Sequence, residues 1–235
     1  MNYSTAVAAD LETKDTGMAR HKVAPATLDS AMRWRYAVRR FSDEILSAEE
    51  LDTLIEAVRH SPSAYGLQPY ELIVISSKAM RERLLSHSYG QEKIVNCSHL
   101  LVFAAYRDID DGLVERYISL AAKERGVQPE ELAQYANQVR SALASQTPQQ
   151  RAASAVNQSF LALGTLLTSA ALLGIDCCPM SGFESSGYDK VLGLPERGLT
   201  AAVICALGRR HPQDSSALYP RVRVPRRDWL LEYQA

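Results

Sequence analysis

The 235-residue chain has no GxGxxG fingerprint, no GxxxxGK[ST] phosphate loop and no GxSxG elbow. The usual sequence signs of a dinucleotide fold, an NTPase and an α/β-hydrolase are therefore missing. Cysteine is scarce. Cys97, Cys177, Cys178 and Cys205 include no CxxC spacing, and the adjacent pair cannot close an unstrained disulfide with itself. All four lie in or beside apolar segments, which points to reduced thiols and a cytoplasmic location. The five histidines are scattered, and His99 opens an apolar run as a satisfied core histidine would, so no metal site is expected. Charge of one sign is missing too: 26 basic and 27 acidic side chains leave a net charge of −1. That excludes a general polyanion binder, so any anion recognition must be local. The most apolar stretch, residues 160–175, is broken by Gly164, Thr165, Thr168 and Ser169 and reads as a buried core helix rather than a membrane span. Residues 1–28 lack the basic start and apolar run of a signal peptide and read as a flexible arm before a single domain over 29–235.

Local patterns order the rest. Ser47-Ala48-Glu49-Glu50 is a capping box, and Leu51, Leu54, Ile55 and Val58 follow at helical spacing, with Pro62 ending the helix near His60. Short apolar runs at 71–76, 100–106 and 199–207, with a shorter one at 176–180, read as strands. Helices are expected at 28–39, 79–86, 112–125, 130–145 and 149–173. The last is apolar nearly all round, which places it in a core or at an oligomer interface. The class is α+β: helices around a modest sheet.

Against this neutral background, arginines concentrate in two places, RWRYAVRRF at residues 33–41 and YPRVRVPRR at 219–227. Arg35 and Arg39, four apart on the expected helix, would share a face and could fork onto an anion. A solvated face paired with Asp43, Glu44 or Glu49 reads as well. Arg221 and Arg223 alternate in a stretch stiffened by Pro220 and Pro225, so they point the same way, though a basic tail in solvent has the same pattern. Three further stretches are SPSAYGLQPY at 61–70, YGQEKIV at 89–95 and PMSGF at 179–183, where Gly182 would let a flat ligand near the backbone. Each taken singly is an ordinary turn. No nucleophile or acid–base set stands out, so an enzyme of this kind would rely on a cofactor.

Taken in order, RYAVRRF, SPSAYGLQPY, GQEKIVNCSH, Asn157-Gln158, PMSGF and PRVRVP resemble the nitroreductase family of FMN-dependent NAD(P)H oxidoreductases, over about residues 30–227. The resemblance implies a central, mostly antiparallel sheet surrounded by helices in an intertwined homodimer. It also implies FMN as cofactor and NAD(P)H as co-substrate. Arg35, Arg221 and Arg223 would then hold the FMN phosphate, and Tyr36 and Ala37 would follow the phosphate and ribityl chain. Arg39, Gln91 and Lys93 would meet the pyrimidine edge, and Pro179, Met180, Ser181 and Gly182 would line the ring. Pro62, Ser63, Ala64 and Gln68 would come from the partner subunit. Relatives commonly carry serine where Ala37 stands, some have an acidic residue at Ser181, and a common tryptophan is Ser154 here.

The implied activity is hydride transfer from NAD(P)H through flavin N5 to nitroaromatic, quinone or similar conjugated acceptors, by ping-pong kinetics and with no protein catalytic residue. Tyr65, Tyr117 and Tyr135 are the expected substrate-pocket aromatics, with ordinary packing the competing account of the last two. Alternatives are a non-catalytic flavin-binding or storage protein, or a branch performing reductive dehalogenation or flavin breakdown. A nucleic-acid binder using the two arginine segments is disfavoured by the neutral charge.

Overall fold

In a computed structural model, which describes residues 22–233, the four apolar runs become strands of one sheet. These are β1 (Tyr70–Ile75), β2 (His99–Tyr106), β3 (Asp176–Met180) and β4 (Leu199–Gly208), lying in the order β1-β2-β4-β3. Every neighbouring pair is antiparallel, with Val102 of β2 facing Ile73 on one side and Ile204 on the other. The central strands are apolar without alternation because helices cover both faces of the sheet. Leu100, Val102, Ala104, Ile204 and Ala206 point into one cluster, while Leu101, Phe103, Val203 and Cys205 point into another.

Helices α1 (Pro25–Trp34) and α2 (Ala48–Arg59) precede β1, and α3 (Lys78–Leu84) and α4 (Lys93–Asn96) precede β2. Then come α5 (Asp111–Arg125), α6 (Ala133–Ala144) and α7 (Pro148–Leu172) before β3, α8 (Ser185–Leu192) before β4, and α9 (Arg226–Trp229) near the end. On one face, Leu84 and Tyr188 from α3 and α8 meet the sheet; on the other, Leu54, Val58, Leu163 and Leu166 do so from α2 and α7. A third cluster joins α5 and α6 through Leu113, Ile118, Val139 and Leu143.

Helix α2 starts where its capping box says it should: Ser47 Oγ accepts from Glu50 N–H and Glu50 Oε2 accepts from Ser47 N–H. A second box, Thr147 with Gln150, starts α7 at Pro148. The inner side of α7 buries Ala155, Ala162, Leu163, Leu166 and Ala170. Its outer side leaves Phe160 43% and Leu161 46% exposed in the single chain.

The first helix departs from expectation. Of the expected arm, residues 1–21 lie outside the described residues, and Pro25 already opens α1, which stops at Trp34 instead of reaching Arg39. Beyond it the chain is extended: Val38 N–H donates to Cys177 O at 3.3 Å and Ala37 bridges Cys177 in parallel fashion. A spacing of four fits a helix of period 3.6 and a strand of period 2 alike, so Arg35 and Arg39 share a side for the second reason, not the first. The open edge of β3, with unpaired carbonyls to satisfy, decides the matter. Short helices α4, α8 and α9 had no expected counterpart.

Replacing Ser47 with alanine is expected to destabilise the fold by about 1 kcal/mol, read as a lower urea midpoint at unchanged slope. A larger change in slope than in midpoint would mean the cap is not the cause.

Candidate functional site

Alternation sets the two sides of residues 35–39. Tyr36 and Val38 are buried, whereas Arg35, Ala37 and Arg39 face outward. Tyr36 therefore does not present its side chain alongside Arg35: its ring lies in the core, and its hydroxyl donates to Asp214 Oδ2 at 3.1 Å. The same oxygen accepts the N–H groups of Arg39 at 2.9 Å and Arg40 at 3.2 Å, and Oδ1 accepts Ser216 N–H at 3.1 Å. Asp214 is 5% exposed. Its burial alone would raise its pKa, but the N–H donors of Arg39, Arg40 and Ser216 and the Tyr36 hydroxyl outweigh it and hold the carboxyl below its ordinary range. Burial, reinforced by Asp214, pushes the Tyr36 phenol up to about 12.

Two guanidiniums flank the Tyr36 ring, Arg221 at 4.4 Å and Arg210 at 4.6 Å from its centroid. Arg210 also covers Trp34 at 4.2 Å, and its Nε donates to the buried Asp176 at 2.9 Å. Arg221 Nε donates to the Arg35 carbonyl at 3.4 Å, so the second arginine segment folds back on the first within one chain. Arg221 and Arg223 line an open cavity of about 570 Å³ with Asp29, Met32 and Arg33. Arg33 is neutralised there by Asp29 at 2.7 Å. Arg35 Nε is buried and has no hydrogen-bond partner among the described residues. Of the acidic residues named as alternative partners, Glu44 pairs with Arg209, and neither Asp43 nor Glu49 forms an ion pair with Arg35 or Arg39 among the described residues.

The remaining flavin-edge candidates gather along β3. The Arg35 charge reaches the Cys177 thiol, and Lys93 and Arg39 both reach the thiol of Cys178, which burial pushes up in pKa. Gln91 Nε2 donates to Gly182 O at 2.9 Å. A Cβ on Gly182 would meet only open space, which leaves that backbone approachable. Ser181 is exposed and Pro179 half-buried, but the Met180 side chain is in the core. Behind this group, Arg81 is 4% exposed and donates to the carbonyls of Ile75, Ser76, Val95 and Ser98 without a carboxylate partner. It thereby fixes α4, whose first residue is Lys93. Sequence reasoning missed both Asp214 and Arg81. The one local sign of Arg81 is its place three residues before the buried Leu84, on the apolar face of α3.

Residues 61–68 stand apart. Ser63 Oγ accepts from Gln68 N–H, Gln158 Oε1 accepts from Ala64 N–H at 2.9 Å, Gln68 Nε2 donates to Arg59 O, and Pro62 is exposed. This loop leads into β1, at the opposite edge of the sheet from β3, with β2 and β4 between. At roughly 4.8 Å per strand the two edges are about 14 Å apart. One chain does not bring Pro62, Ser63, Ala64 and Gln68 to Arg35, Lys93 and Gly182. The three expected pocket tyrosines cluster on this loop: Tyr135 Oη donates to Tyr65 O at 3.1 Å, and the rings of Tyr117 and Tyr135 are 6.2 Å apart. His99 is a bonded core histidine, 2.8 Å from Ser98 Oγ, and no cluster of metal-ligating side chains occurs among the described residues.

The family model described as "Nitroreductase family" matches residues 32–209. An oxygen-insensitive NAD(P)H nitroreductase of Salmonella typhimurium is 28% identical over 212 residues, covering 84% of this chain and 95% of the relative. Among solved structures, an assigned nitroreductase of Bacillus subtilis has a TM-score of 0.77 at 20% identity, covering 89% of this chain and 99% of its own. Another from Exiguobacterium sibiricum, solved in complex with FMN, has a TM-score of 0.75 at 18% identity, covering 92% of this chain and 100% of its own.

A depressed carboxyl pKa makes Asp214 stabilising above its ordinary value near 3.8, with the stabilisation lost as pH falls through the lower folded value. Asp214→Asn is therefore expected to cost about 1–3 kcal/mol at pH 7 and progressively less in acid. Urea denaturation at pH 7 and at pH 3 measures both. An undiminished loss at pH 3 would rule out the charge as the cause.

Proposed function

The chain belongs to the nitroreductase family, and from that premise we propose that it is a homodimeric, cytoplasmic flavoprotein that uses NAD(P)H to reduce nitroaromatics, quinones or similarly conjugated acceptors in ping-pong fashion. The observation that carries the reading is the buried, unpartnered Nε of Arg35 beside a second segment that brings Arg221 to the Arg35 carbonyl. A guanidinium Nε left without an acceptor, with Arg221 on the adjoining carbonyl and Arg223 lining a cavity with Arg221, fits a doubly charged phosphate.

The rest of the cluster fits the remainder of FMN. Arg39 and Lys93 supply positive charge at the end of β3 away from Arg35, where a flavin ring would carry negative charge once reduced. Gln91, held on Gly182 O, keeps the loop at 89–95 against the turn at 181–182. With Met180 turned into the core, residues 179–182 offer mainly backbone and the open face of Gly182. Ala37 brings no hydroxyl, so Arg35, Arg221 and Arg223 carry the phosphate. Held by these residues, FMN would supply the hydride chemistry between NAD(P)H and the acceptor, which is why no protein nucleophile is required.

The dimer is supported by what one chain leaves unfinished. The 61–68 loop and the β3 cluster lie at opposite sheet edges, and a second copy would join one chain's loop to the other's cluster. The outer side of α7 exposes Phe160 and Leu161, and the C-terminal segment exposes Val222, Trp229 and Leu231. Apolar surface of this kind marks an interface.

Purified protein is expected to be yellow or to take up added FMN, and NAD(P)H is expected to bleach the bound flavin. A flavin that NAD(P)H cannot reduce would indicate a storage protein instead. Arg35→Ala and Arg221→Ala should weaken FMN binding about 10- to 100-fold, as loss of a charged hydrogen bond implies, while Arg227→Ala should stay within about twofold. Similar losses at all three sites would mean a general charge effect. Leu161→Glu should sediment as a monomer and lose FMN together, because the two halves of each site then separate. A monomer that keeps wild-type affinity would place the whole site in one chain.

A further inference from the structure

The loop between α2 and β1 is bent into conformations that side chains rarely adopt. Tyr65 has φ 56° and Gln68 φ 44°, with Gly66 at φ 73° between them. Left-handed non-glycine residues persist only where the surroundings over-determine them, and they concentrate where a loop has a task. Here the surroundings come from α5 and α6. Tyr135 Oη donates to the Tyr65 carbonyl at 3.1 Å. The Tyr117 ring lies flush on Gly66, where a Cβ would fall 2.7 Å from Tyr117 Cε2, so glycine is demanded there by contact as well as by φ. The two rings are 6.2 Å apart, tilted by 51°, and both are partly buried. Gln158 on Ala64 N–H and Ser63 on Gln68 N–H complete the hold.

We propose that Tyr135 and Tyr117 are positioning residues. Tyr135 pins the carbonyl of the strained residue, and Tyr117 supports the glycine beside it. Together they hold the 63–68 loop in the shape it presents to the flavin bound mainly by the other protomer. They are not substrate ligands. Helices α5 and α6 thus act on flavin affinity in trans, through a loop that leaves its own chain's β3 cluster untouched. The inference rests on the FMN reading above.

FMN affinity, measured by quenching of flavin fluorescence, is the primary readout. Tyr135→Phe removes one hydroxyl and nothing else, and should weaken FMN about three- to tenfold while the apoprotein Tm falls by no more than about 4 °C. Gly66→Ala should lose at least as much as Tyr135→Phe. A mixed dimer then separates positioning from general loosening, with one protomer carrying Arg35→Ala and the other Tyr135→Phe. Action in trans puts both lesions in one site, so the mixed dimer should show half its sites at wild-type affinity. No wild-type site in the mixed dimer, or a Tyr135→Phe affinity within twofold of wild type, would overturn the proposal while leaving the FMN reading intact. Wild-type protein that takes up no FMN would overturn both.

Discussion

The Asp214 carboxylate is the contact on which the site's geometry depends. Residues 35–41 have no helix to satisfy their backbone and only isolated bridges to β3 and to Arg210 beside them, yet they must carry arginines at fixed places. Asp214 supplies the missing acceptor, taking the Arg39 and Arg40 N–H groups and the Tyr36 hydroxyl on one oxygen. With the Tyr36 ring thus drawn inward, period-two alternation forces Arg35 and Arg39 outward. A buried carboxylate is tolerable because donors surround it. Removing them would leave an uncompensated charge, and removing the carboxylate would leave unpaired N–H groups, so segment and anchor stand or fall together.

Guanidinium groups solve several other packing problems in this chain, and the pattern separates structural arginines from available ones. Arg81 caps four carbonyls, Arg210 spans Asp176 and two aromatic rings, Arg209 joins Glu44 and Glu50, and Arg151 holds Asp108. Each is engaged on several sides. Arg35, Arg39, Arg221 and Arg223 ion-pair with no carboxylate among the described residues, although Arg221 is itself held by the carbonyls of Arg35, Ser216 and Tyr219 and by the Tyr36 ring, and they come from the two segments that fold onto each other. Near-neutral composition therefore conceals a local surplus of positive charge, which is what a single bound anion requires.

Much of the fold was legible because local chemistry decided it. The capping box at Ser47 and the apolar run at 176–180 set boundaries that nothing distant had to override. Residues 35–39 were not legible, because a spacing of four satisfies both periods and only the β3 edge chooses between them. Asp214 is 178 residues from Tyr36, and no local pattern foretells that contact. Apart from its place on the apolar face of α3, nothing local marks Arg81, because the carbonyls it holds at Val95 and Ser98 lie beyond its helix. The separation of the site into two halves could be read only from strand order, since the stretches follow one another in sequence without any sign that they end at opposite edges.

Helix α7 anchors the 61–68 loop. Gln158 accepts from Ala64 N–H, and Thr165 donates to Ser61 Oγ at 3.1 Å, so two turns of one stripe hold the start of the strained loop. Leu161, Thr168 and Leu172 continue that stripe at three- and four-residue steps, and Leu161 and Leu172 are among the large apolar side chains exposed in the single chain. A partner covering this stripe would therefore press on the helix face that fixes the loop. The inner side of α7 is locked to the sheet by Leu163 and Leu166, so the helix cannot rotate to accommodate one demand at the expense of the other. The hold of α7 on the loop is therefore set by the helix phase, and the inner core packing fixes that phase.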